Sequence, residues 1–266
     1  MDPIISSSIA AVCYTLCSIY QARHLLLGKV INEKLLIGLA SAAITAHSIS
    51  VYHLIFTQQG LNLGFFRVPS LIFWLISALL VISSLKKPVE NLFIPLFALT
   101  AISIVTPLIV DSPYHAINHL SRTETAHILL SILAYSVFTI AAVHALVLAY
   151  QDRQIKQKHT RSILHALPPL ETMEQLLFQM IWLGVILLTM SIITGFIFLE
   201  DMFMQKVVHK TVFSICAWLI FSILLWGHHF KGWRGSTALK WTITGFISLM
   251  LAFFGTKFVL ELILHR

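Results

Sequence analysis

Residues 126–150 read AHILLSILAYSVFTIAAVHALVLAY, with no Asp, Glu, Lys or Arg among them. At about 1.5 Å of rise per residue, a helix of this length extends about 37 Å, more than the ~30 Å hydrocarbon core of a bilayer. Apolar side chains occupy every side of that helix rather than one stripe, so it cannot lie half in water. The alternation of a membrane barrel strand is missing. A continuous segment in hydrocarbon must satisfy its own backbone hydrogen bonds, which selects the helix.

Seven further runs of the same kind lie outward from it, at about 4–21, 35–56, 69–84 and 92–110 before it and 176–199, 212–228 and 241–264 after it. The composition agrees: 58% apolar, 11% charged, mean hydropathy +0.86. Soluble domains carry about 25% charged residues. Eight spans of ~20 residues leave only about 100 for ends and loops, so soluble metabolic enzymes, secreted disulfide modules and DNA-binding folds are excluded. The expected fold class is all-α: a polytopic membrane helix bundle of eight transmembrane helices, with 1–266 a single domain.

The net charge of +7 does not signal nucleic acid, because the basic residues fall between the spans. One set of loops holds Arg23, Lys29, Lys34, Lys86, Lys87, Arg153, Lys156, Lys158, Arg161, Lys231, Arg234 and Lys240. The other holds Arg67, Arg122, Lys206, Lys210 and Arg266. Twelve against five assigns the first set to the cytoplasm and both termini to the outside. The first run lacks a basic leader region and a small-residue cleavage site, so it is expected to stay as a helix.

Thirteen histidines is many for this length, and polar groups in hydrocarbon often mark function. Under this topology His127 begins span five at the outer face, His265 follows span eight, and His209 lies between spans six and seven. His115 and His119 sit in the preceding outer loop. Two imidazoles from different helices can hold an iron porphyrin axially. His127 is therefore either such a ligand or a helix-start residue packed at the interface; His265 is either a ligand or the penultimate residue of a fraying chain end, and His209 either has a functional role or is a plain loop residue. Deeper lie His47, His53, His144, His228 and His229; His144–His228 is one pairing, and separate interhelical hydrogen bonds are the other reading.

Other groups say less. Cys13 and Cys17 share a face without forming a Cys-x-x-Cys pair, and no Cys-x-x-Cys-His haem attachment site exists. Lys257 and Glu261 can pair within the last span. Gly195 and Gly245 permit close helix approach. Walker, dinucleotide and H-E-x-x-H motifs are missing, so no enzymatic role is expected. The connector at 151–175 is basic in its first half, suits anionic lipid headgroups, and stops at Pro168 and Pro169.

The run at 126–150 with its basic continuation, then LPPLETMEQLLFQMIWLGVILLTMSIITG and HKTVFSICAWLIFSILLWGHHFKGWRGSTALKWTITGF, resembles the cytochrome c assembly membrane proteins, the superfamily of CcsA, CcmC and CcmF. The likeness is greatest to the short, eight-span CcsA-like branch that includes the YpjD and HemX proteins. It is carried by about residues 120–266; the first 120 match in membrane character only. The resemblance implies non-covalent haem b at the outer face of a bacterial inner membrane. His127 matches the family ligand that opens span five, and His265 approximates the one after the last helix. Cytochrome c assembly or haem-biosynthesis proteins are then expected partners, beside haem and the bilayer. This chain departs from the family in its outer loop, EDMFMQKVVHKTVFS, which has no Trp and carries Val208, His209 and Lys210 where Asp-Pro-Lys would stand. The departure leaves a second expectation open: a HemX-like regulator or scaffold without haem transport.

Overall fold

The structure is a computed structural model, and it describes residues 3–28, 32–58, 60–110, 120–157, 167–198, 208–255 and 258. The helices are α1 (Pro3–Leu27), α2 (Glu33–Ile55), α3 (Arg67–Ser84), α4 (Phe93–Ile109), α5 (Arg122–Lys156), α6 (Leu170–Phe198), α7 (Val208–Lys231) and α8 (Gly235–Met250). A short antiparallel pair, β1 (Phe56–Thr57) and β2 (Gly60–Leu61), joins α2 to α3, and a 3-10 turn at Glu90–Leu92 leads into α4. A π-helical turn, Leu251–Gly255, continues α8. Among the described residues, eight helical segments are long and apolar enough to cross a membrane. All eight expected spans are present.

Local chemistry sets several boundaries. Asn32 caps α2, its side-chain oxygen accepting from the Lys34 and Leu35 amides at 3.1 and 3.3 Å. Gly28, at φ 63°, closes α1 with its amide on the His24 carbonyl. Hydroxyls within the spans return their protons to carbonyls one turn back, as Thr45 does to Ser41 and Thr189 to Val185. A polar side chain satisfied this way can face hydrocarbon.

Packing divides the chain into two compact units, residues 1–118 with 154–168 and residues 119–153 with 169–266. In the first, α1 packs on α2 and α4, and α3 packs on the same two helices. Tyr14, Phe93 and Phe97 fill its centre. The two phenylalanine rings stack at 4.6 Å and Tyr14 lies 5.1 Å from Phe97. Hydroxyl pairs cross between helices: Ser7 with Ser50 at 2.6 Å and Ser77 with Thr100 at 3.2 Å.

The second unit is organised by aromatic rings against glycines. Phe138 of α5 and Phe221 of α7 stack at 4.0 Å. Each ring also lies against a glycine, Gly184 of α6 and Gly245 of α8, where an added Cβ would stand only 2.7 and 2.8 Å from ring carbons. Four helices meet through that sandwich, and the expectation that Gly245 permits close approach is met. At the α7–α8 turn, Trp233 folds over Gly227 and lies 5.2 Å from Trp241.

Candidate functional site

α5 begins with a reciprocal capping box. The Ser121 hydroxyl accepts from the Glu124 amide at 3.2 Å, and the Glu124 carboxylate accepts from the Ser121 amide at 2.8 Å. This closes the first turn four residues earlier than the apolar run at 126 suggests. It also fixes the direction in which His127, in the second turn, projects.

His127 is half-buried and points at α6. Its Nδ1 donates to the Ser191 carbonyl at 2.8 Å, with the Thr194 hydroxyl 3.4 Å from the same nitrogen. The acceptor is a carbonyl, so the proton belongs on Nδ1 and the lone pair on Nε2. No described residue hydrogen-bonds that Nε2. Metal-bound histidines are held in this manner, with the second ring nitrogen donating to a carbonyl that fixes tautomer and ring orientation.

A polar strip continues from His127 along α5. Ser131 pairs with Ser191 at 2.7 Å, and Tyr135 donates to the Leu249 carbonyl at 2.7 Å, next to the π-helical turn. Phe253 of that turn lies 5.7 Å from Tyr135, and the Lys210 ammonium lies 5.6 Å from the Phe253 ring centroid, a cation–π distance. The Lys210 charge is also near enough to act on His127. Thus α5, α6, α7 and the π turn all contribute to one end of this unit.

Of the expected ligands, His127 alone has a described side chain. His209 stands on the first turn of α7, with its side chain outside the described set; His265, His115 and His119 lie outside the described residues, as do Lys257 and Glu261. Among the described residues, no three His, Cys, Asp or Glu side chains converge as a metal cluster. The donor chemistry at His127, a neutral imidazole held through Nδ1, fits a residue that would hold a haem iron.

The deeper histidines each use a separate partner. His144 donates through Nε2 to the Met173 carbonyl at 2.8 Å. His228 donates through Nδ1 to Trp233 at 2.9 Å and stacks on Phe178 at 3.5 Å. His47 meets the Ser70 hydroxyl at 3.0 Å and the edge of Tyr14 at 5.7 Å. The helix-to-helix hydrogen-bond reading accounts for His47 and His144, whereas the His228 bond is local and closes the turn that follows α7. Cys17 packs its sulfur against the Leu36 carbonyl, and all three cysteines are free.

Sequence reading alone did not single out Ser131, Tyr135, Ser191 or Thr194. A signal existed, because His127, Ser131, Tyr135 and Thr139 recur every four residues through a charge-free, mostly apolar run. That spacing keeps neighbouring members on one face.

Comparison with known proteins follows the same lines. The family described as cytochrome C assembly protein matches residues 36–264. Inner membrane protein YpjD of Escherichia coli (strain K12) is 32% identical over 228 residues, covering 84% of this chain and 86% of that protein. Protein HemX of Brevibacillus brevis is 22% identical over 167 residues, 61% of each chain. Protein HemX of Bacillus subtilis (strain 168) is 25% identical over 162 residues, 59% of this chain and 58% of that one. No solved structure matches the chain.

Proposed function

The chain belongs to the cytochrome C assembly protein family, and on that footing we propose that it holds haem b non-covalently near its outer face in support of cytochrome c-type biogenesis. It is a multi-pass protein of the bacterial inner membrane. In this reading His127 would hold the haem iron together with His265 or His209. The observation that carries the reading is the His127 tether, Nδ1 to the Ser191 carbonyl at 2.8 Å, which leaves the lone pair on Nε2. Bound haem would supply an iron centre ready for presentation to a partner protein. This chain's own part is to orient the His127 imidazole through the Ser191 carbonyl. No covalent chemistry falls to it.

The test is the absorption spectrum of the gently purified protein. Roughly stoichiometric haem with a bis-histidine spectrum is expected, reduced in His127→Ala and retained in His144→Ala. Haem-free protein from haem-replete cells would overturn haem binding.

A second reading has its own support, the Trp-free segment EDMFMQKVVHKTVFS, together with the likeness to HemX proteins. Here the chain is a membrane regulator or scaffold of haem biosynthesis or another membrane complex, without haem transport. It would work through the connector expected at 151–175, of which only the stretch between Lys156 of α5 and Leu170 of α6 lies outside those two helices. Shortening that connector while keeping every span should then abolish partner recovery and leave haem content unchanged.

A further inference from the structure

The last turns of α5 and the first turns of α6 and α8 enclose a cavity of about 300 Å³. It lies near the end of α5 remote from His127 and takes no part in the site described above. Leu148, Leu170 and Leu239 form its apolar wall, while Asp152, Arg153 and Glu174 bring charge to it. Glu174 is anchored, its Oε1 accepting the Gly235 amide at 2.8 Å and thereby capping α8 from another helix.

Three features define what fits. The charges are mixed, one guanidinium with two carboxylates, so a simple anion would meet repulsion and a simple cation would leave Arg153 unused. The long helix α6 begins here, and its amide end favours a negative group beside Arg153, the α8 end being already capped by Glu174. The location is also interfacial. These spans meet their basic flanks, Lys156, Arg234 and Lys240, where headgroups lie, and the leucines line the way toward hydrocarbon. A ligand carrying phosphate and ammonium a few atoms apart, on an apolar stem, satisfies all three. The volume stands at the lower end for small-molecule pockets, enough for a headgroup and its first carbons.

We propose that this cavity is a specific site for the headgroup of a zwitterionic aminophospholipid taken from the bilayer, with Arg153 on the phosphate and Asp152 and Glu174 on the ammonium. The site is independent of the haem reading.

Native mass spectrometry of the full chain, released from micelles doped with one lipid at a time, tests it. Dioleoyl phosphatidylethanolamine is expected to remain bound in preference to dioleoyl phosphatidylglycerol and phosphatidylcholine. Arg153→Ala and Asp152→Asn should each weaken retention about tenfold, the usual effect of removing one charged hydrogen bond. Leu239→Trp, which fills the cavity, should abolish it, and Lys231→Ala, outside the cavity, should leave it unchanged. Arg153 is exposed, so its variant folds even where Leu239→Trp does not; circular dichroism and elution position check both. Equal retention of phosphatidylglycerol, or indifference to Arg153→Ala, overturns the proposal. Displacement of the lipid by soluble phosphoethanolamine at equal concentration would mark a soluble ligand and overturn the bilayer source.

Discussion

A histidine at the start of a membrane helix is ordinary until its tautomer is known. The Ser191 carbonyl sets that tautomer for His127 at a distance of 2.8 Å, and a ring held this way offers its other nitrogen without further reorganisation. A histidine serving only as an interface anchor needs no such hold. The two roles separate in a rescue experiment. His127→Gly should remove one axial bond and move the haem spectrum from low-spin toward high-spin, and added imidazole should restore the low-spin form. An anchoring histidine would show neither change. The residue itself was legible in the sequence, because it opens a charge-free run. Its orienting partner was not, because the partner is a backbone carbonyl 64 residues away, and carbonyls leave no trace in residue identity.

At the level of elements, length and apolarity predicted every span, but the ends and the helix-to-helix contacts follow other chemistry. α5 starts at Arg122 because a Ser-x-x-Glu box closes on Ser121 just before it, a signature present in SRTE at 121–124 yet masked by the polar character of its residues. Ser121→Ala should cost about 1 kcal/mol of helix stability and lower haem retention without abolishing it, measured as thermal loss of the spectrum. The ring sandwich was half legible. Gly245 could be recognised as a close-approach residue, whereas Gly184 matters only because Phe138 covers it, and which ring covers which glycine depends on pairing between helices. Gly184→Val should destabilise the second unit by about 1–3 kcal/mol through overpacking. Shortening the ring should relieve it: in a double-mutant cycle with Phe138→Ala, the combined loss should be smaller than the sum of the single losses. Additive losses would mean that the ring and glycine do not oppose one another.

For the whole molecule, orientation follows from charge rather than from packing. Eight crossings would return the chain to the side on which it began, and by the positive-inside rule twelve basic residues against five predict the richer loops on the cytoplasmic side. The haem reading depends on that assignment, because Arg122 precedes His127 by five residues and must share its side of the membrane. Cysteine accessibility decides it. With Cys13, Cys17 and Cys216 replaced by Ala, single cysteines at Arg122→Cys and Lys87→Cys place one thiol in a loop of each set, and both parent residues are exposed. A membrane-impermeant thiol reagent applied to cells with a permeable outer layer should label Arg122→Cys directly and Lys87→Cys only after the inner membrane is opened. The reverse pattern would leave the helices intact but turn His127 to the cytoplasm. Haem presentation on the outside would then be lost as a function for this site, and a regulator acting from the cytoplasmic face would become the reading that the chemistry supports.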